Sequence, residues 1–175
     1  GIVHRLDKET SGLVLIAKSE TAHKALAVKF KNREIKKEYL AFVKGKVKND
    51  TGSIDSPVGR HKTQRKKMGT GGNHSRPACT HYQVLQRCKS WTYLKLLPET
   101  GRTHQIRVQA ELLNHNVAND IKYGDAEFNK FISKSGIKSM ALHAKSIKFI
   151  DEDSNLIQVE APLEDSFTDL IDYLN

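Results

Sequence analysis

The sequence predicts an α+β domain, a mixed and mostly antiparallel sheet with flanking helices. Two observations carry that expectation. Apolar runs with two-residue alternation come in adjacent pairs, at 78–87 with 91–97 and at 142–150 with 156–160. Stretches with helical periodicity lie between and around them, at 20–33, after residue 103 and at 165–174.

The elements follow in order. The chain opens on GIVHRLDKETSG, a polar and turn-rich stretch, and runs into an apolar strand over 13–17. Asp7 thus sits on a short loop anchored by a buried strand, as a catalytic group requires, although capping a turn or a helical start would also use it. Over 20–33 an amphipathic helix is expected. Ala22, Leu26 and Phe30 are four apart, Ala25 and Val28 lie near that stripe, and Lys24, Lys29 and Lys31 face out, with Ser19 as the cap. Residues 36–47 form a strand with Tyr39, Ala41 and Val43 on one face and Leu40 and Phe42 on the other. Apolar groups on both faces place it centrally in its sheet.

Residues 48–77 are expected to be the least regular part: a turn at 50–52, a short strand near Ile54 and Val58, then a basic loop. From Arg60 to Arg76 there are six Lys or Arg and no acid, interrupted by Gly69, Gly71 and Gly72. Such a loop buries little apolar surface, and its charge is drawn to a phosphate backbone. The pair 78–87 and 91–97 reads as a hairpin through Cys88-Lys89-Ser90. Thr103 is expected to cap a helix reaching 114, with Ile106, Ala110 and Leu113 inward and Thr103 and Arg107 on one face. A short helix at 128–133, two closing strands and a final helix complete the chain.

A length of 175 residues suits a single domain with its own core. No run approaches a membrane span, no secretory pattern opens the sequence, and Cys79 and Cys88 make neither a metal-ligand spacing nor a disulfide framework. These features fit the reducing cytoplasm. The net charge is +9, but residues 1–150 carry all 29 Lys and Arg against 12 acids, a net of +17, while 151–175 carry eight acids and no Lys or Arg. A basic body points to a polyanion such as RNA, though charge alone does not separate RNA from DNA or anionic lipid.

Two longer motifs narrow this. HRLDKETSG near the start and TGRTHQIRV at 100–108 are followed or separated, in order, by Lys37-Glu38-Tyr39-Leu40-Ala41, Tyr123-Gly124-Asp125, Leu142-His143-Ala144 and Ala161-Pro162-Leu163. Together they resemble the RluA-type RNA pseudouridine synthases, and the resemblance covers nearly the whole chain. It implies a mixed sheet with an RNA cleft and isomerisation of uridine without metal or cofactor. The expected partner is RNA, with no membrane partner and with the chain acting as a monomer. In that family an earlier strand with a Lys-Pro motif, and often an RNA-binding domain, precede the HRLD loop. Residues 1–175 are therefore expected to be one catalytic domain lacking both.

By resemblance, Asp7 is the catalytic aspartate, a nucleophile or charge stabiliser that needs no partner base, and Arg107 is the basic group that orients it. Tyr39 corresponds to an active-site tyrosine able to stack on the extracted uracil and relay its proton. Arg5 corresponds to the residue that fills the gap left by the flipped nucleotide. Arg102, His104 and Gln105 are expected to line the cleft, Lys62, Arg65 and Lys66 to hold RNA, and His4, Thr10 and Ser11 to brace the loop. Departures from the family pattern are Gln109 in place of a histidine, Asn114-His115-Asn116 in place of Gly-His-Pro, and Asn119 in place of a glycine. They touch the helix exit and target choice rather than the named catalytic positions. The run 123–128 resembles the branch that modifies large-subunit ribosomal RNA. The alternatives are a synthase acting on tRNA, a catalytically idle RNA-binding module, and a metal-dependent nuclease using His4, Asp7 and His104.

Overall fold

A computed structural model describes residues 1–64, 67–72 and 74–174. Among them a seven-stranded sheet forms the centre. Its strands are β1 (Ser11–Gly12), β2 (Lys36–Lys44), β3 (Thr51–Asp55), β6 (Cys79–Arg87), β7 (Trp91–Pro98), β8 (Leu142–Ile150) and β9 (Leu156–Glu160), while β4 (Val58–Arg60) and β5 (Met68–Thr70) make a separate two-stranded hairpin. The order runs β1-β8-β2-β7-β6-β3, with β9 also on β8, and every pairing is antiparallel except β1 with β8. The expected α+β class holds.

Strand β2 is central, as its two apolar faces require. Leu40 and Phe42 pack with Trp91 beneath helices α3 (Ala126–Ile132) and α4 (Asp165–Leu174). Ala41 and Val43 pack on the opposite face with Leu94, Leu96 and helix α2 (Gln105–Leu112). Helix α1 (Glu20–Lys31) closes a third cluster through Leu26, Ile147 and Phe149, and Ser19 caps it by accepting from the Ala22 amide at 3.1 Å.

Several expectations fail for definable reasons. The strand at 13–17 is not a ladder strand: pairing with β8 stops after Gly12, β9 takes the next stretch of the β8 edge from Ser146 onward, and Ile16 keeps only an isolated antiparallel bridge to Ile2. The alternation survives as an extended segment, Leu13 and Leu15 half-buried and Ala17 buried, with Val14 and Ile16 outward. Val28 is 54% exposed, off the α1 stripe, whereas Lys29 packs down and pairs with Glu152 at 3.5 Å. Thr103 does not cap α2. His104 holds that position in the left-handed region (φ 57°) without a capping hydrogen bond, and the helix ends before Leu113, which is exposed. Among the described residues of 48–77 there is more regular structure than the composition suggested, since β3 extends the sheet along β6 and β4 pairs with β5.

Candidate active site

The HRLD loop is pinned to β8. Ser11 Oγ meets His143 Nδ1 at 2.8 Å, and the Leu13 amide donates to the Ala144 carbonyl at 3.0 Å. Gly12 makes this approach possible: its φ is 104°, and a Cβ there would stand 2.2 Å from the Ala144 carbonyl oxygen. His4 Nε2 accepts the Leu15 amide at 2.8 Å and its ring lies against Phe30, so His4 braces the loop as expected. Thr10 holds the loop through its backbone, whose amide donates to the Asp7 carbonyl at 3.1 Å, while its hydroxyl is buried without a hydrogen-bond partner.

Asp7 lines a cavity of about 570 Å³ with Arg5, Lys37, Tyr39, Arg102 and His104. Arg107 reaches it from α2, Nη1 standing 3.3 Å from Asp7 Oδ2. The firmer partner of Arg107 is Asp120, which accepts from Nε at 2.7 Å and from Nη2 at 2.9 Å in a fork. The Asp120 side chain is fully buried, that of Arg107 is 8% exposed and that of Asp7 20%, so only Asp7 opens to the cavity. Burial by itself would lower the Arg107 pKa and raise that of Asp120. The fork between them outweighs burial in both, so Arg107 is held up and Asp120 down, helped by the Tyr123 and Lys122 amides on Asp120 Oδ1.

Tyr39 projects from β2 at a register shift between Glu38 and Tyr39, where the pairing with β8 passes from Ser146 to Ala144. Such bulges re-aim side chains beside active sites. Burial, then the negative charge of Asp7, push its phenol up to about 12. His104 Nδ1 shares a 2.8 Å hydrogen bond with Tyr123 Oη, which also accepts the Met68 amide at 2.9 Å and so ties the β4–β5 hairpin to the site. The Arg107 guanidinium lies 5.0 Å over the same ring.

Within one neighbourhood lie a half-buried carboxylate, a buried guanidinium fixed by a second carboxylate, and a phenol that keeps its proton. Residues 1–112 match the model of the RNA pseudouridylate synthase family.

The chain belongs to that family.

It is 39% identical over 99% of its length to an uncharacterized RNA pseudouridine synthase, YlyB, of Bacillus subtilis, covering 55% of that protein. It is 40% identical over 98% of its length to the ribosomal large subunit pseudouridine synthase D of Nitrosomonas europaea, covering 50% of it. The chain thus spans about half the length of these curated relatives. Among solved structures, human RNA pseudouridylate synthase domain containing 1 superposes with a TM-score of 0.81 at 28% identity, over 93% of this chain and 68% of that one.

The departures from the synthase pattern have structural explanations. Asn114 and Asn119 both lie at positive φ, 57° and 58°, where asparagine is the usual substitute for glycine. Gln109 is fully buried and cross-links α2 to the sheet, accepting from Thr80 Oγ1 at 2.6 Å and donating to the carbonyls of Ala78 and Ile54 at 3.0 and 3.1 Å.

Not every expected RNA contact is in the cleft. Arg5 is exposed on its wall, and Arg102 lines it while donating to the Pro77 carbonyl at 3.3 Å. Gln105 borders the cavity but is not free for RNA. Its oxygen accepts from Thr100 Oγ1 and the Arg102 amide, and its nitrogen donates to the Cys79 carbonyl and Thr80 Oγ1. All four of its hydrogen bonds are spent inside the protein. Lys62 is exposed beyond β4 and outside the cavity wall, and Arg65 and Lys66 lie outside the described residues. The nuclease alternative loses its geometry: among the described residues His4, Asp7 and His104 do not bring metal-ligating atoms together, and His4 Nε2 is already engaged.

Sequence reasoning missed two groups. Asp120 was visible only as the acid after a glycine-like position, with nothing to tie it to Arg107. Lys37, two positions before Tyr39, lines the cavity and donates to the Thr100 carbonyl at 3.3 Å, and burial lowers its pKa. A lysine on the same strand face as Tyr39 was the available signal.

Proposed function

We propose that this chain isomerises uridine to pseudouridine in RNA, with large-subunit ribosomal RNA as substrate. The observation that carries the reading is that Asp7 and Tyr39 line one cavity while the buried Arg107 holds Asp7 from behind it, in a chain whose relatives carry that activity in their names. The bond from ribose to ring nitrogen breaks, the uracil turns, and a bond from ribose to ring carbon forms. That carbon loses a proton and the freed nitrogen gains one, so no cofactor is consumed.

Asp7 supplies the carboxylate that attacks or stabilises the ribose or base as the bond breaks. Arg107, locked by Asp120, orients it and keeps it charged. Tyr39 offers its ring for stacking and, keeping its proton through the physiological range, acts as a relay and hydrogen-bond donor rather than a resident base. Arg5, exposed on the wall, fills the stack that the flipped nucleotide leaves, offsetting part of an extraction cost of a few kcal/mol. The cations on the cavity wall suit the phosphate backbone. The ribosomal substrate rests on relatives named for the large ribosomal subunit.

Asp7→Asn tests this directly. Pseudouridine formation on ribosomal RNA transcripts is expected to vanish while RNA affinity stays within roughly threefold, a difference of less than 1 kcal/mol. Modification that persists in the variant ends the assignment, and modification of tRNA alone by the unaltered protein moves the substrate.

A further inference from the structure

At the rim of the cavity stands a second constellation, which the reaction leaves unused. Cys79 and His81 are two positions apart on β6, so both side chains leave the strand on the side opposite Thr80. Glu99 follows β7, its amide bonded to the Cys79 carbonyl at 3.0 Å. Cys79 Sγ lies 3.9 Å from His81 Nε2, His81 Nε2 lies 2.7 Å from Glu99 Oε1, and the three donor atoms fall within 4.8 Å of one another. Among the described residues this is the one such group of three. Asp55 is paired with Cys79 across the β3–β6 ladder and is exposed.

We propose that Cys79, His81 and Glu99 bind a thiophilic divalent cation of the zinc class, with Asp55 or water completing the tetrahedron. Tetrahedral bonds of about 2.3 Å to sulfur and about 2.0 Å to nitrogen and oxygen need donor separations of about 3.3–3.6 Å. The observed spread brackets that range, and the side chains are exposed enough to close on an ion by small rotamer changes. A thiolate, an imidazole and a carboxylate together select zinc-like ions over magnesium or calcium, which prefer oxygen alone. Glu99 and Asp55 bring two carboxylates to the corner, opposed by the Arg33 guanidinium. Burial and then the carboxylates of Glu99 and Asp55 raise the Cys79 thiol pKa, against the pull of Arg33.

Binding releases the thiol proton to solvent and replaces the His81–Glu99 hydrogen bond with two metal bonds. It also competes with Arg33, whose guanidinium stands 4.0 Å from Glu99 Oε2 on the same cavity wall. Occupation would free that arginine toward the cleft, so the ion would act on RNA holding rather than on Asp7.

Titration of the reduced protein with Co²⁺ tests this without any activity measurement. The expected result is one equivalent bound, with a thiolate-to-cobalt charge-transfer band and the intense visible bands of tetrahedral cobalt, all displaced by Zn²⁺. Cys79→Ser is expected to abolish the charge-transfer band and Cys88→Ser to leave it unchanged. His81→Ala and Glu99→Gln are each expected to weaken binding by roughly tenfold or more, by analogy with losses at supporting groups of metal sites. Circular dichroism confirms that each variant is folded, and a variant that is not is replaced by His81→Gln or Cys79→Ala. The absence of the band, a band that survives Cys79→Ser, or one lost in Cys88→Ser overturns the proposal.

Discussion

The knot of Asp7, Arg107 and Asp120 and the basic arm from Arg60 to Arg76 are both built from charge, yet they use it differently. In the knot each guanidinium edge has a fixed carboxylate, and two of the three side chains are shut away from water. In the arm Lys62 is exposed on a connection of the β4–β5 hairpin, where solvent and salt screen it. Buried charge gives geometry at the cost of dependence on every partner. Exposed charge gives affinity that is adjustable and cheap to alter.

The largest expected effect breaks the knot. Asp120→Ala leaves the Arg107 cation buried with half its partners gone, and a urea denaturation series is expected to show a loss of about 3–5 kcal/mol together with loss of activity. If stability changes by less than 1 kcal/mol, the fork is not what holds Arg107.

Next comes the link between the two regions. Tyr123→Phe removes the oxygen that joins the Met68 amide to His104, and leaving this half-buried amide unpaired costs about 1 kcal/mol. Hydrogen exchange at Met68 is expected to quicken while exchange in β7 stays slow. Equal protection at Met68 would show that the hairpin is held by other contacts.

The acid dependence should follow the buried region and not the arm. Burial lowers the pKa of His4, His104 and His143, with Lys37 adding to the effect at His4 and Asp7 opposing it at His104. Between the folded and ordinary values the unfolded chain holds more protons, so stability is full above the ordinary histidine value of 6.5 and declines as pH falls through the folded values. Asp120, also lowered, adds a loss of the same sign at more acid pH. Melting temperatures measured downward from pH 8 are expected to fall from about pH 6.5 on. A flat profile to pH 5 contradicts the burial of these rings.

The smallest effect on stability belongs to the arm. Lys62→Ala is expected to leave folding unchanged within about 0.5 kcal/mol. If the arm meets RNA phosphate, binding weakens alike for all sequences and the salt slope drops by about one. An unchanged slope removes Lys62 from the RNA surface.

Much of the scaffold was legible because it is written locally. Alternation in β2 announced its two buried faces, Ser19 announced the start of α1, and β8, β9 and α4 fall where periodicity put them. The HRLD and HQIR motifs named Asp7 and Arg107, and the two meet at 3.3 Å although a hundred positions separate them. Expectations failed where a partner decided. Leu13 to Ala17 has a strand pattern but lost its edge to β9, and Thr103 has the right chemistry for a cap that the backbone of His104 takes. Gln105 looks like a cleft residue and is consumed by four internal hydrogen bonds.

The sequence by itself determined the fold class, the central strand and the basic charge of residues 1–150, because periodicity and composition are properties of neighbours along the chain. Only the tertiary structure decided that Asp120 locks Arg107, that Tyr123 joins the hairpin to His104, and that Cys79, His81 and Glu99 share one corner. Those are pairings across strands, helices and loops. Burial makes an unmatched charge or amide costly, and which groups are buried together is set only when the layers close.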